Sequence, residues 1–206
     1  MKQLLPRTLS LSFILFLSGC AASYRPIEPP SLNYTANDSQ TGIEFAYRYD
    51  VLQEKGNKKY AKKEDVKDVK LVAVKLTNNT AGAINVGRDI SFYAGQRRLT
   101  LLDPMVVKNT LRQIVPAYLP YLLLTFVNFY VSNGTSTQVY PIGLVLGPGI
   151  TIGNMVMAGT ANKNMLIELN QYNLINKDIQ KGETVYGIIG INNMGYDPLT
   201  VKMTEK

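Results

Sequence analysis

DVKLVAVKLT, residues 68–77, sets Val69, Leu71 and Ala73 on one side of an extended chain and Val72, Val74 and Leu76 on the other. A period of two is the mark of a β-strand, because successive side chains leave opposite faces of the backbone. Asn78-Asn79-Thr80 follows and ends the run in a turn.

The same period recurs on both sides of that strand. Ile43, Phe45, Tyr47 and Tyr49 alternate with Glu44, Ala46, Arg48 and Asp50, which predicts a half-buried strand. Residues 84–86, 90–93 and 98–102 predict further short strands, punctuated by Gly82, Gly87 and Gly95. Lys181-Gly182 marks a turn before a strand at 184–191, and 199–203 supplies the last one. Between the first two long strands lies a charged stretch, 53–67, with Gly56-Asn57 as a turn signal. Its Lys55, Lys58, Lys59, Lys62 and Lys63 alternate with Glu54, Glu64 and Asp65, which reads as a solvated hairpin end. A basic finger for anionic headgroups is the functional alternative.

Residues 113–162 contain no Asp, Glu, Lys or Arg, and Arg112 and Lys163 bracket them. The first part, 113–131, is mostly apolar; 132–138 is a polar turn; the second part, 139–159, is rich in glycine. A helical hairpin fits, and Gly143 and Gly147 have the four-residue spacing that lets helices approach closely. Gly147-Pro148-Gly149 argues against one continuous second helix, and a β-hairpin over 142–152 fits as well. The stretch is open to three readings: a buried subdomain, a surface that enters a lipid leaflet, or a partner interface. Tyr118, Tyr121, Leu122, Phe126, Phe129 and Tyr130 are the candidate membrane or partner contacts.

Composition excludes more than it assigns. The 206-residue chain carries a formal charge of +7 and no histidine, which removes His-dependent triads and the usual zinc sites. Cys20 is its one cysteine. No catalytic residue, metal site or cofactor site is expected, and no enzyme. Carboxylates such as Asp50, Asp89 and Asp103 are scattered, as they are on solvated faces. The basic balance points to anionic lipid headgroups or cell-wall polymers rather than nucleic acid.

Leu17-Ser18-Gly19-Cys20 follows Lys2, Arg7 and an apolar stretch, 9–17. This resembles the lipobox of a bacterial lipoprotein, which implies a signal peptide over 1–19 and a diacylglycerol on the Cys20 sulfur. Val72-Ala73-Val74-Lys75-Leu76-Thr77-Asn78-Asn79-Thr80 and Ile179-Gln180-Lys181-Gly182-Glu183-Thr184-Val185-Tyr186-Gly187 resemble two strands of immunoglobulin-like lipoprotein domains. Lys181 stands where those domains have proline. Together these resemblances imply a Bacteroidetes-type envelope lipoprotein. The fold class they imply is mainly β: an immunoglobulin-like antiparallel sandwich with an apolar helical insertion at about 103–172.

The expected organisation is therefore a signal peptide, 1–19, a flexible tether, 20–40, rich in Pro, Ser and Asn, and a sandwich domain, 41–206. Ala21, Ala22 and Ser23 after the cysteine go with an outer-membrane, periplasm-facing address. Membrane lipid through acylated Cys20 is the expected partner, with an envelope protein or a second copy as further candidates. The expected function is non-enzymatic presentation of the sandwich for envelope interactions. The alternative is a ligand-binding or accessory subunit of an envelope complex. A chain held by lipid needs no second anchor, so packing or partnering is the expected role of 113–162.

Overall fold

A computed structural model describes residues 19–34, 36–40 and 42–204. The expected signal peptide, with Leu17 and Ser18 of the lipobox, lies outside the described residues up to position 18. In chain order the elements are β1 (Ala36–Gln40), β2 (Ile43–Arg48), α1 (Val51–Glu54), α2 (Lys58–Lys67), β3 (Val69–Asn78), β4 (Ile84–Asn85), β5 (Ile90–Ala94), β6 (Arg97–Leu99), β7 (Leu101–Leu102) and α3 (Pro104–Leu111). A 3₁₀ segment (Val115–Phe126), β8 (Phe129–Ser132), β9 (Thr137–Tyr140), α4 (Gly143–Gln171), β10 (Asp178–Ile179), β11 (Thr184–Asn192) and β12 (Leu199–Met203) follow. The chain divides into two compact units. The larger holds residues 24–112 and 162–204 and the smaller holds 19–23 and 113–161, with α4 contributing to both.

In the larger unit an antiparallel sheet runs β1-β2-β3-β11-β7. β3 lies at its centre, pairing Val74 with Tyr47 on one side and Gly187 on the other. β12-β5-β6 form a three-stranded sheet and β10-β4 a two-stranded one. Phe45, Val72, Val74 and Leu76 share one core with Ile90, Phe92 and Val201. The Phe45 and Phe92 rings meet edge to face at 5.6 Å, a favoured aromatic geometry.

The opposite side of β3 is buried as well, Leu71 and Ala73 included, so this strand reads apolar on both faces. Helix α2 packs there. It buries Tyr60, Ala61 and Glu64 and leaves its lysines at the surface or partly exposed. Asp68, at φ 53°, ends the helix in a left-handed turn that feeds β3. The solvated hairpin end expected over 53–67 is thus replaced by α1 and α2, joined at Gly56, whose φ of 77° glycine adopts without strain. Helix α3 starts where Asp103 accepts from Met105 N at 2.7 Å and Pro104 fills the first turn.

The fold is therefore mixed α/β with four small open sheets, and the expected mainly-β, immunoglobulin-like sandwich is corrected. The two stretches that suggested it are real neighbours, since β3 and β11 pair in register from Thr77↔Thr184 to Val69↔Asn192. Alternation specifies a strand and the face it buries. It carries no information on whether sheets close over each other or helices cover them.

Residues expected as a flexible tether are docked, with a short 3₁₀ turn at Pro29–Ser31. Tyr24, Ile27 and Pro29 are buried in the larger unit. Glu168 accepts from Tyr24 OH at 2.6 Å and from Ile27 N and Glu28 N at 2.8 Å each. Asn57 accepts from Arg25 N and donates back to Arg25 O.

Candidate functional site

The smaller unit carries the uncharged stretch. Its α4 continues through Gly147-Pro148-Gly149 without interruption, against the expected break. Pro148 lies in the second turn, so few backbone bonds stand to be lost on its N-terminal side. The preceding limb is the 3₁₀ segment, with Pro116 near its start and Pro120 inside it.

The two limbs meet at glycines. A Cβ on Gly143 would come within 2.3 Å of Leu124 O, and one on Gly147 within 2.3 Å of Thr125 Oγ1 and 2.6 Å of Thr125 N. Gly147→Ala should therefore cost about 1–3 kcal/mol of packing in this unit. Chymotryptic cleavage after Tyr118, buried in the native chain, is expected to speed up accordingly. An unchanged rate would show that the limbs do not need this close approach.

Helix α4 is inverted relative to a soluble surface helix. Its buried positions in this unit are Gly143, Gly147, Thr151, Ala158 and Ala161, with Asn154 half-buried among them. Its outward positions are Leu144, Val145, Leu146, Ile152, Val156 and Met157. Large apolar side chains face out and small or polar ones face in, whereas a surface helix of a globular protein does the reverse. The 3₁₀ limb adds exposed Leu119, Leu122, Leu123 and Phe126, the last 78% exposed. β8 and β9 pair Phe129 with Tyr140 and Tyr130 with Val139, all exposed, and Asn133 closes their turn by accepting from Ser136 N.

Cys20 belongs to this unit and is exposed. Ala21 N donates to Asn154 Oδ1 at 2.5 Å, Ala22 N to Gln113 Oε1 at 3.0 Å, and Gln113 Nε2 returns a bond to Ala22 O at 2.6 Å. Cys20 is an electrostatic neighbour of Tyr118 and Tyr121, whose rings stack at 6.5 Å. Of the six expected contact residues, Leu122, Phe126, Phe129 and Tyr130 are exposed, Tyr121 is half-buried and Tyr118 is buried. Val145, Ile152 and Val156 were missed. Their seven- and four-residue spacing is helical, and treating Gly-Pro-Gly as a break concealed it.

The larger unit carries clefts instead. A polar cleft of about 320 Å³ is lined by Asp50, Lys58, Lys62, Glu64, Asp65 and Tyr196. Its carboxylates are engaged structurally: Asp50 accepts from Tyr196 OH at 2.7 Å, Asp65 pairs with Lys70, and Glu64 accepts from Leu71 N. Asp89 accepts from Asn85 N, and Asp103 caps α3. Among the described residues no group of three or more His, Cys, Asp or Glu is placed to hold a metal.

No family model, curated protein or solved structure matches the chain. The resemblance to an envelope lipoprotein with an immunoglobulin-like domain thus finds no counterpart, and the identification is withdrawn. The expected function falls with it, because presentation by a β-sandwich needs a sandwich that open sheets do not form. The alternative, a ligand-binding or accessory subunit, loses the same scaffold.

Proposed function

We propose that this protein is membrane-associated and that the uncharged unit, 113–161 with 19–23, is its membrane-contacting element. The inverted helix α4 carries the reading. A soluble partner interface keeps a charged rim and favours arginine, whereas this surface has no charged side chain at all. Large apolar groups outward with glycine, threonine and asparagine inward is the arrangement that lipid favours. Helix α4 is long and apolar enough to cross a membrane. Its uncharged residues 143–162 span about 30 Å at 1.5 Å each, against about 30 Å of bilayer hydrocarbon.

Flotation of the full chain carrying Cys20→Ser with phosphatidylcholine vesicles tests the reading without any acyl group. The protein should float with the vesicles. Val145→Glu, Ile152→Glu and Val156→Glu together should return it to the soluble fraction, since each acidic group costs about 2.5 kcal/mol or more in hydrocarbon. All three positions are exposed, so the fold survives the change. A Cys20→Ser chain that stays wholly soluble beside vesicles would overturn the proposal.

A further inference from the structure

We infer that Lys59, Lys63, Lys67 and Arg112 form a binding site for phosphate groups, those of anionic lipid headgroups. The inference rests on the membrane reading and names the lipid chemistry that the protein prefers. Lys59, Lys63 and Lys67 recur every four residues, so they share one flank of α2. The flank that buries Tyr60, Ala61 and Glu64 is a different one. Helix α3 packs against α2 and ends at Arg112, whose carbonyl accepts from Lys63 Nζ. Burial first, and then the three cations Lys67, Arg112 and Lys59, hold the Lys63 amine below the usual lysine range.

Four like charges gathered this closely repel one another, and an anion relieves that repulsion. The two carboxylates of α2 do not supply it: Glu64 turns inward to Leu71 N, and Asp65 pairs with Lys70. Phosphate suits the set, because guanidinium presents a fork to its oxygens and ammonium groups add point charges. Lipid is the favoured source of that phosphate. Arg112 is the last residue before the uncharged stretch, so one peptide bond joins the cationic cluster to the apolar unit.

Vesicle titration of the full chain with Cys20→Ser separates this inference from the reading beneath it. Binding to phosphatidylcholine reports the apolar unit, and the gain on adding phosphatidylglycerol reports the cluster. The gain should be roughly tenfold or more, since each cation near an anionic surface contributes severalfold. The variant Lys59→Gln, Lys63→Gln, Lys67→Gln, Arg112→Gln should lose the gain and keep the phosphatidylcholine affinity. Replacing Lys59, Lys63 and Lys67 by arginine should retain it. The inference is overturned if the native chain shows no phosphatidylglycerol gain while still binding phosphatidylcholine. It is equally overturned if Lys181→Gln with Lys202→Gln erases as much of the gain, which would assign it to net charge. Competition by inorganic phosphate at equal phosphorus would assign the site to the free anion and overturn the headgroup assignment. Loss of binding to both vesicles defeats the membrane reading itself.

Discussion

Glu168→Ala is expected to free the segment around residues 24–28 and to expose Tyr24 to chymotrypsin about a hundredfold faster. In the native chain the Glu168 carboxylate is buried and takes three donors: Tyr24 OH, Ile27 N and Glu28 N. Alanine leaves all three without their acceptor, and a stranded buried donor costs about 1–3 kcal/mol. The total, about 3–5 kcal/mol, matches what removal of one partner from a buried charged network costs. Undocking the segment relieves that penalty more cheaply than global unfolding, so the change should be local. At about 1.4 kcal/mol per tenfold, 3 kcal/mol gives the hundredfold rise. Tyr24→Phe removes a single bond and should raise the cleavage rate severalfold. Glu168→Gln should fall between the two, because its amide group turns a donor towards other donors. Equal cleavage after Tyr24 in native and Glu168→Ala protein would mean that Ile27 and Pro29 hold the segment by packing alone.

This segment shows how far the sequence can be read. Pro26 lies in non-helical backbone, but Pro29 and Pro30 open a 3₁₀ turn, which their fixed φ allows as readily as extension. What composition also hides is that a proline-rich segment can be bound, here by a carboxylate some 140 residues away. Strands β2, β3, β11 and β12 were legible because alternation is local and strong. The helices were legible only in part: helix was expected in the second limb of the uncharged stretch, but not one that runs unbroken through Pro148. In α2 the lysines outnumber the buried residues, and only Tyr60, Ala61 and Glu64 mark the inner side. In α4 the usual signal is reversed, since an apolar stripe points outward and Gly147, which looks like part of a break, is a contact point for Thr125. A helix whose large apolar side chains face outward is illegible by the rules for a surface helix. The candidate site was visible as a stretch without charge. Which of its residues face outward was not, because that depends on the helix running through Pro148.

Glu64 should make the larger unit less stable at neutral pH than at mildly acid pH, and Glu64→Gln should abolish the difference. Burial against β3 pushes the carboxyl up to about 7 from an ordinary 4.5. The Leu71 N–H and Lys70 pull it down, while Asp50 and Asp65 push it further up, so burial outweighs the hydrogen bond. Between pH 4.5 and 7 the folded chain keeps a proton that the unfolded chain has released. Stability therefore falls as pH rises through that window, and the contribution is fully present only below it. Two and a half units at 1.36 kcal/mol each give a loss of about 3 kcal/mol, complete a little above pH 7. Glutamine keeps a carbonyl for Leu71 N and cannot ionise. Denaturant titrations should then show equal stability of both chains near pH 4, and the variant ahead by about 3 kcal/mol at pH 8. Parallel stability curves for the two proteins across that range would exclude Glu64 as the titrating group. The same measurement reads the seam between α2 and β3, since the bond from Leu71 N to Glu64 at 2.6 Å crosses it. A carboxylate forced to ionise there draws water towards Leu71 and Tyr60, so the loss above pH 7 should come with faster amide exchange along α2 than along β11.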